Sequence, residues 1–208
     1  APQGQKWGFH LPNWEAMEAE GHRWWHERLA VASHYYHIYR IDHVVGFFRI
    51  WGIPPGVPPS EGRFVPADKS LWIPEGKEHL EMILHYSPML PIAEDLGTVP
   101  TEVRETLAEL GICGTKVMRW EREWKKDGAY IPIQDYPILS MTTVSTHDSE
   151  TLVQWWANNP EEAEAYAEFK GWTYTPEFTR KMRLSILWDS HHSSSIFHIN
   201  LLQQYLCL

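Results

Sequence analysis

The chain has 208 residues, enough to bury one good core, and its 43% apolar and 22% charged content is that of a globular domain. With 18 Lys and Arg against 27 Asp and Glu the net charge is −9, and no basic patch alternates with aromatics, so nucleic acid is not an expected partner. No run approaches the ~20 apolar residues of a membrane span and no signal peptide is read, so neither is a membrane.

In chain order, residues 14–37 read as a helix, with Asn13 as N-cap and Trp25, Leu29 and Ala32 at helical spacing. His37 to Asp42 reads as the first strand. The stretch from Gly52 to Pro59 is too rich in Pro and Gly for helix or central strand and is expected as a long ordered loop on the strand's C-terminal side. Residues 77–85 read as helix, and Met89 to Glu94 as the second strand. Pro100 and Thr101 begin a helix whose buried stripe is Val103, Leu107 and Leu110, with Gly111 as its stop. Thr115 to Trp120 and the β-branched run Met141 to His147 read as the third and fourth strands. Thr151 to Asn158 and Glu161 to Lys170 read as helices split by Pro160, a further helix is expected from Pro176 to about Trp188, and Ser195 to Leu201 is expected as the last strand.

Five strands alternating with helices predict a parallel α/β fold. Three segments end an apolar run on a carboxylate, at Asp42, at Glu94-Asp95 and at Asp148. Such a run reads as a buried parallel strand presenting the acid at its C-terminal end, which in α/β barrels is the active face. Periodicity alone leaves barrel and open sheet undecided. Acids on separate strands favour the barrel, and no Gly-rich phosphate turn supports a nucleotide-binding open sheet. Breaking a glycosidic bond needs one carboxylate to attack the anomeric carbon, a carboxylic acid to protonate the leaving oxygen and a further acid to stabilise the distorted ring. Glu94 and Asp95 point oppositely along a strand, so one of them faces the centre. The tryptophans, 12 in all, are expected mostly in the core, with a minority stacking on sugar.

These motifs resemble those of the 4-α-glucanotransferases (amylomaltase or disproportionating enzyme) of glycoside hydrolase family 77. They are Arg40-Ile41-Asp42-His43 with Gly46-Phe47, Ala93-Glu94-Asp95-Leu96-Gly97, Thr146-His147-Asp148, the opening Gly4-Gln5-Lys6-Trp7-Gly8, and Asn200-Leu201-Leu202-Gln203-Gln204-Tyr205-Leu206 near the end. The resemblance implies a (β/α)8 TIM barrel, present here as an incomplete piece of roughly strands 4 to 8, with residues 1–208 forming part of a single catalytic domain. Asp42 would be the nucleophile, Glu94 the general acid/base and Asp148 the transition-state stabiliser. Arg40 would sit beside Asp42, His147 would hydrogen-bond sugar hydroxyls, Trp7 would contact bound glucan and Asp95 would be structural. The implied reaction transfers α-1,4-glucan segments between maltooligosaccharides, or longer α-glucans, by retaining double displacement, with no cofactor and no metal. The chain departs from the family pattern at Ser149-Glu150-Thr151, where many members have Asn-Asp-Thr, and a further substrate-contacting aspartate of the third barrel strand is not found. The opening without Met and the uncapped close at Leu208 are read as a piece of a longer chain, since a full barrel takes roughly 250 residues.

The competing readings are a retaining α-glucan hydrolase of the wider α-amylase clan, which shares the Arg-x-Asp-His motif, and a non-catalytic glucan-binding module. His22 and His26, four apart on a helix, have a spacing that can hold zinc, but the intervening Trp24-Trp25 reads as a packed face. Cys113 and Cys207 lie in apolar contexts without a metal pattern and are read as buried thiols in a reducing, cytoplasmic setting.

Overall fold

The computed structural model describes residues 6–206. The chain divides into two compact units, Ala1–Ile112 and Cys113–Leu208.

In the first unit the expected helix over 14–37 is two helices, α1 (Trp14–Ala19) and α2 (Arg23–Ser33). Asn13 does cap α1, its Oδ1 accepting the Ala16 N–H at 3.1 Å. The break falls at Gly21 and His22, both left-handed with φ of 64° and 53°, a conformation that glycine adopts freely and that stops a helix. Trp25 and Leu29 of α2 pack with Ile83 and Met89.

Strand β1 (Ile38–Ile41) pairs in parallel with the later β4 (Leu90–Ala93), register Ile41 to Ala93. Between them lies an element absent from the sequence reading. The flanks of the Pro-rich loop form an antiparallel hairpin, β2 (Ile50–Gly52) with β3 (Arg63–Val65). The prolines lie outside the strands, Pro59 opening a 3-10 turn over Pro59–Glu61, and the Trp51 indole N–H donates to Pro59 O at 2.9 Å to hold the loop against its own strand.

Helix α3 (Trp72–Tyr86) begins five residues before the expected start. Its Gly76 is required by packing, because an added Cβ would stand 2.2 Å from Cδ1 of the buried Phe48 ring. Helix α4 (Thr101–Glu109) buries Val103, Thr106 and Leu107. The core joins Ile41, Val44, Phe48, Leu80, Ala93 and Leu107 among others.

The second unit carries a parallel sheet of three strands, β5 (Gly114–Val117), β6 (Ser140–Thr143) and β7 (Phe197–His198), with β6 in the middle. All four residues of β6 are buried, as a central strand covered on both faces requires. α5 (Leu152–Asn158) opens on a capping box formed by Thr151 and Gln154, and α6 (Pro160–Phe169) follows at Pro160 as expected. α7 (Arg180–His191) starts not at Pro176 but where the Thr179 hydroxyl can accept the Met182 N–H at 3.3 Å. The last strand is shorter than expected and is followed by a short helix, α8 (Leu202–Leu206). An aromatic core of Tyr130, Trp155, Trp156 and Tyr166 packs against Ile186 and Leu187.

One expectation needs correction. Of the tryptophans only Trp155 and Trp156 lie in the deep core, whereas Trp7, Trp24, Trp51, Trp124 and Trp188 are exposed. Cys113 is a buried free thiol, its pKa raised by burial, while Cys207 lies outside the described residues.

Candidate active site

In the first unit, two of the predicted acids stand just past the paired ends of β1 and β4. Beyond Ile41–Ala93 the ladder continues as a backbone knot: Glu94 N–H donates to Ile41 O at 2.9 Å and Val44 N–H to Glu94 O at 3.0 Å. The Glu94 carboxylate is held by main chain on both sides. Its Oε2 accepts the His43 N–H at 2.9 Å and its Oε1 accepts the Leu96 N–H at 2.8 Å. Asp42 extends toward solvent with its Oδ1 2.6 Å from Arg40 Nη1. The next residue, His43, takes a left-handed φ of 47° and opens a 3-10 turn over Val44–Phe47. That geometry turns the chain sharply after Asp42 and aims the His43 amide at Glu94. Strain of this kind in a non-glycine residue clusters at functional sites.

Asp95, adjacent to Glu94, faces the interior, as strand alternation requires. It is 4% exposed, its Oδ2 accepts Arg104 Nε at 3.0 Å, and its carbonyl accepts Arg104 Nη2 at 2.9 Å. The pair pins the exit of β4 to α4.

In the second unit, Asp148 and His147 follow β6 on a short turn, both exposed, with Asp148 Oδ2 3.2 Å from His147 Nε2. The turn is closed by its own side chains. Ser149 Oγ accepts the Thr146 N–H at 3.0 Å and donates to Thr146 O at 2.9 Å, and Asp148 N–H donates to Thr146 Oγ1 at 3.3 Å. Glu150 accepts from the side-chain amides of Asn158 and Asn159 at 3.0 and 2.9 Å.

The structure therefore brings Arg40, Asp42 and Glu94 together in one unit, and His147 with Asp148 in the other. Trp7, 72% exposed, lies on the segment ahead of α1; Gly4 and Gln5 of the opening motif lie outside the described residues.

Sequence reasoning missed the residues that hold the second-unit loop. Gln204 is 2% exposed; its Oε1 accepts the Leu152 N–H at 3.2 Å and its Nε2 donates to Ser145 Oγ. It thus grips both flanks of the His147–Asp148 turn from α8. Asn200 accepts the Val144 N–H at 3.0 Å through Oδ1 and donates to Ser190 Oγ at 2.7 Å. Both lie in the Asn200–Leu206 motif, but nothing in the sequence says which side chains turn inward. Arg119, after β5, is buried beside Trp155. The signal for it was a charge set directly after the apolar pair Val117-Met118.

Parallel strands alternating with helices, with acids at the strand exits, define the α/β class to which TIM-barrel enzymes belong. The chain superposes on the amylomaltase of Streptococcus agalactiae, solved in complex with acarbose, with a TM-score of 0.75 over 99% of this chain and 40% of that one, at 24% identity. It superposes on the amylomaltase of Corynebacterium glutamicum with a TM-score of 0.67 over 89% of this chain and 31% of that one, at 21% identity. The sequence profile of the 4-alpha-glucanotransferase family matches residues 1–208, and the chain belongs to that family. It is 46% identical to the 4-alpha-glucanotransferase of Chlamydia pneumoniae over 99% of its length and 39% of that protein. To the enzyme of Thermus thermophilus it is 33% identical over 74% of this chain and 30% of that protein. It spans about two fifths of the length of the chlamydial relatives it matches.

Proposed function

We propose that the full-length protein is a 4-α-glucanotransferase that moves α-1,4-glucan segments between maltooligosaccharides or longer α-glucans. The observation that carries this reading is the Arg40–Asp42–Glu94 constellation at the exits of two paired parallel strands. One carboxylate is free to approach substrate with a guanidinium at its side. The other is fixed by two backbone amides.

In this reading Asp42 attacks the anomeric carbon of the donor and forms a covalent glucosyl ester, while Glu94 gives its proton to the departing glycosidic oxygen. Glu94 then takes the proton of an acceptor 4-hydroxyl as that oxygen displaces Asp42, restoring the configuration. Asp148 steadies the positive charge that grows on the ring, and His147 bonds sugar hydroxyls. Trp7, exposed on its segment, is placed against bound glucan. No step requires a metal or cofactor.

Residues 1–208 form, in this proposal, part of one (β/α)8 catalytic barrel, about strands 4 to 8, in a protein of maltodextrin or glycogen metabolism. The proposal sets the protein in the cytoplasm, where a buried free thiol such as Cys113 stays reduced.

The test is turnover of maltotriose by Asp42→Asn, Glu94→Gln and Asp148→Asn in the full-length protein. Each is expected to lower transfer by about three or more orders of magnitude with unchanged folding. Near-normal turnover in any of them removes that residue from its role.

A further inference from the structure

Arg119 is a buried cation with no carboxylate in ion-pair contact among the described residues. It is 5% exposed, and burial lowers its pKa. Its guanidinium lies over the rings of Trp155 and Trp120, 5.2 and 5.7 Å from their centroids. Its Nη1 stands 3.5 Å from the main-chain oxygen of Glu150, a long hydrogen bond, and its buried Nε has no partner among the described residues.

The two acids whose charge reaches it are engaged elsewhere. Glu150 is held by Asn158 and Asn159, and Glu162 accepts the Trp155 indole N–H at 2.8 Å. Burying a guanidinium this way is unfavourable, and an apolar side chain of similar volume at this position would avoid that penalty. The charge is retained for what it grips. Glu150 directly follows the Thr146–Ser149 turn, which carries His147 and Asp148. On the other side of that turn, Gln204 and Asn200 hold Ser145 and Val144.

We propose that Arg119 is a positioning residue. By holding the Glu150 carbonyl it clamps the chain at the exit of the Thr146–Ser149 turn and keeps Asp148 at its working position. The inference rests on the proposed role of Asp148 in glucan transfer. A cation–π seat fixes the guanidinium, and its reach across to a main-chain oxygen makes the grip independent of the side chain at position 150.

The experiment uses the full-length protein, with maltotriose disproportionation and hydrogen exchange measured on Arg119→Met and Arg119→Lys beside Asp148→Asn. For Arg119→Met, kcat is expected to fall about tenfold to a hundredfold with KM within about threefold, since small misplacements of a reacting group act on the transition state. Exchange should speed up over residues 146–151 and stay unchanged over α7. Arg119→Lys, which keeps the charge on a shorter reach, should fall between. A kcat within about twofold of the parent in folded Arg119→Met, or unaltered exchange over the turn, overturns the proposal. If Arg119→Met does not fold, Arg119→Lys decides. A loss of about threefold or more at unchanged Tm supports the clamp, and parental kcat overturns it. Near-normal turnover by Asp148→Asn would instead remove the role of Asp148, while the exchange measurement still tests the grip on the turn.

Discussion

Replacing Gln204 by leucine tests whether the His147–Asp148 turn is held from α8. Leucine has a similar volume, so the change removes polar contacts without opening a cavity. The side chain is 2% exposed and serves the buried Leu152 N–H and the buried Ser145 hydroxyl. Leaving each of these groups unsatisfied costs about 1–3 kcal/mol, and the apolar burial that leucine gains offsets part of the sum. The expected destabilisation is therefore about 2–4 kcal/mol. Urea unfolding of the full-length protein reads it as a lower midpoint at unchanged slope. Hydrogen exchange at the Leu152 amide should accelerate more than at amides of α4, which the substitution does not touch. A stability within about 0.5 kcal/mol of the parent, the range of ordinary surface changes, would refute the reasoning and show that the two polar groups find other partners.

Gly76→Ala should destabilise. The new Cβ falls 2.2 and 2.4 Å from the Phe48 ring, which is buried and has no room to retreat. Overpacking of about 1–3 kcal/mol then outweighs the gain of about 1 kcal/mol from helix propensity; a higher urea midpoint for the variant would contradict this. His79 stacks on Trp14 at 3.7 Å with Nδ1 3.1 Å from Phe47 O, and burial lowers its pKa below the usual 6.5 despite that contact and the nearby Glu75 and Glu78. The unfolded chain then binds a proton at higher pH than the folded one. Stability from this group is complete above pH 6.5 and is lost as pH falls through 6.5 toward the lower folded value. Unfolding measured from pH 7.5 to 5.5 should show a shallower loss in His79→Gln than in the parent, and equal slopes would contradict the assignment.

The strand exits were legible because an apolar run that stops on an acid carries both signals at once. The strands expected over His37–Asp42 and Met89–Glu94 form over Ile38–Ile41 and Leu90–Ala93, one residue shorter at each end. The neighbouring hairpin was not legible, since each of its strands is three residues long and frames a Pro-rich loop whose composition dominates the reading. Gly21 was absorbed into one long helix because its neighbours keep helical spacing, and only the left-handed backbone at Gly21 and His22 divides it. The tryptophans misled in the opposite sense. Their size suggests burial, yet several stand at the surface, where single exposed aromatics carry no sequence signature.

The clamps of the second unit were out of reach for a different reason. Gln204 meets Ser145 across 59 positions of chain, and Arg119 meets Glu150 across 31. Such contacts depend on how strands and helices pack, not on local pattern. Glu150 is visible in the sequence as an acid after His147-Asp148, but only the structure shows that its carboxylate is spent on Asn158 and Asn159.

The central claim is glucan transfer, and the most direct measurement is the product pattern of the full-length protein incubated with maltotriose and separated by chain length. The account predicts a ladder of longer maltooligosaccharides together with glucose. Glucose and maltose alone would contradict transfer and point to a hydrolase, and an unchanged substrate with folded protein would contradict catalysis on α-1,4-glucans altogether.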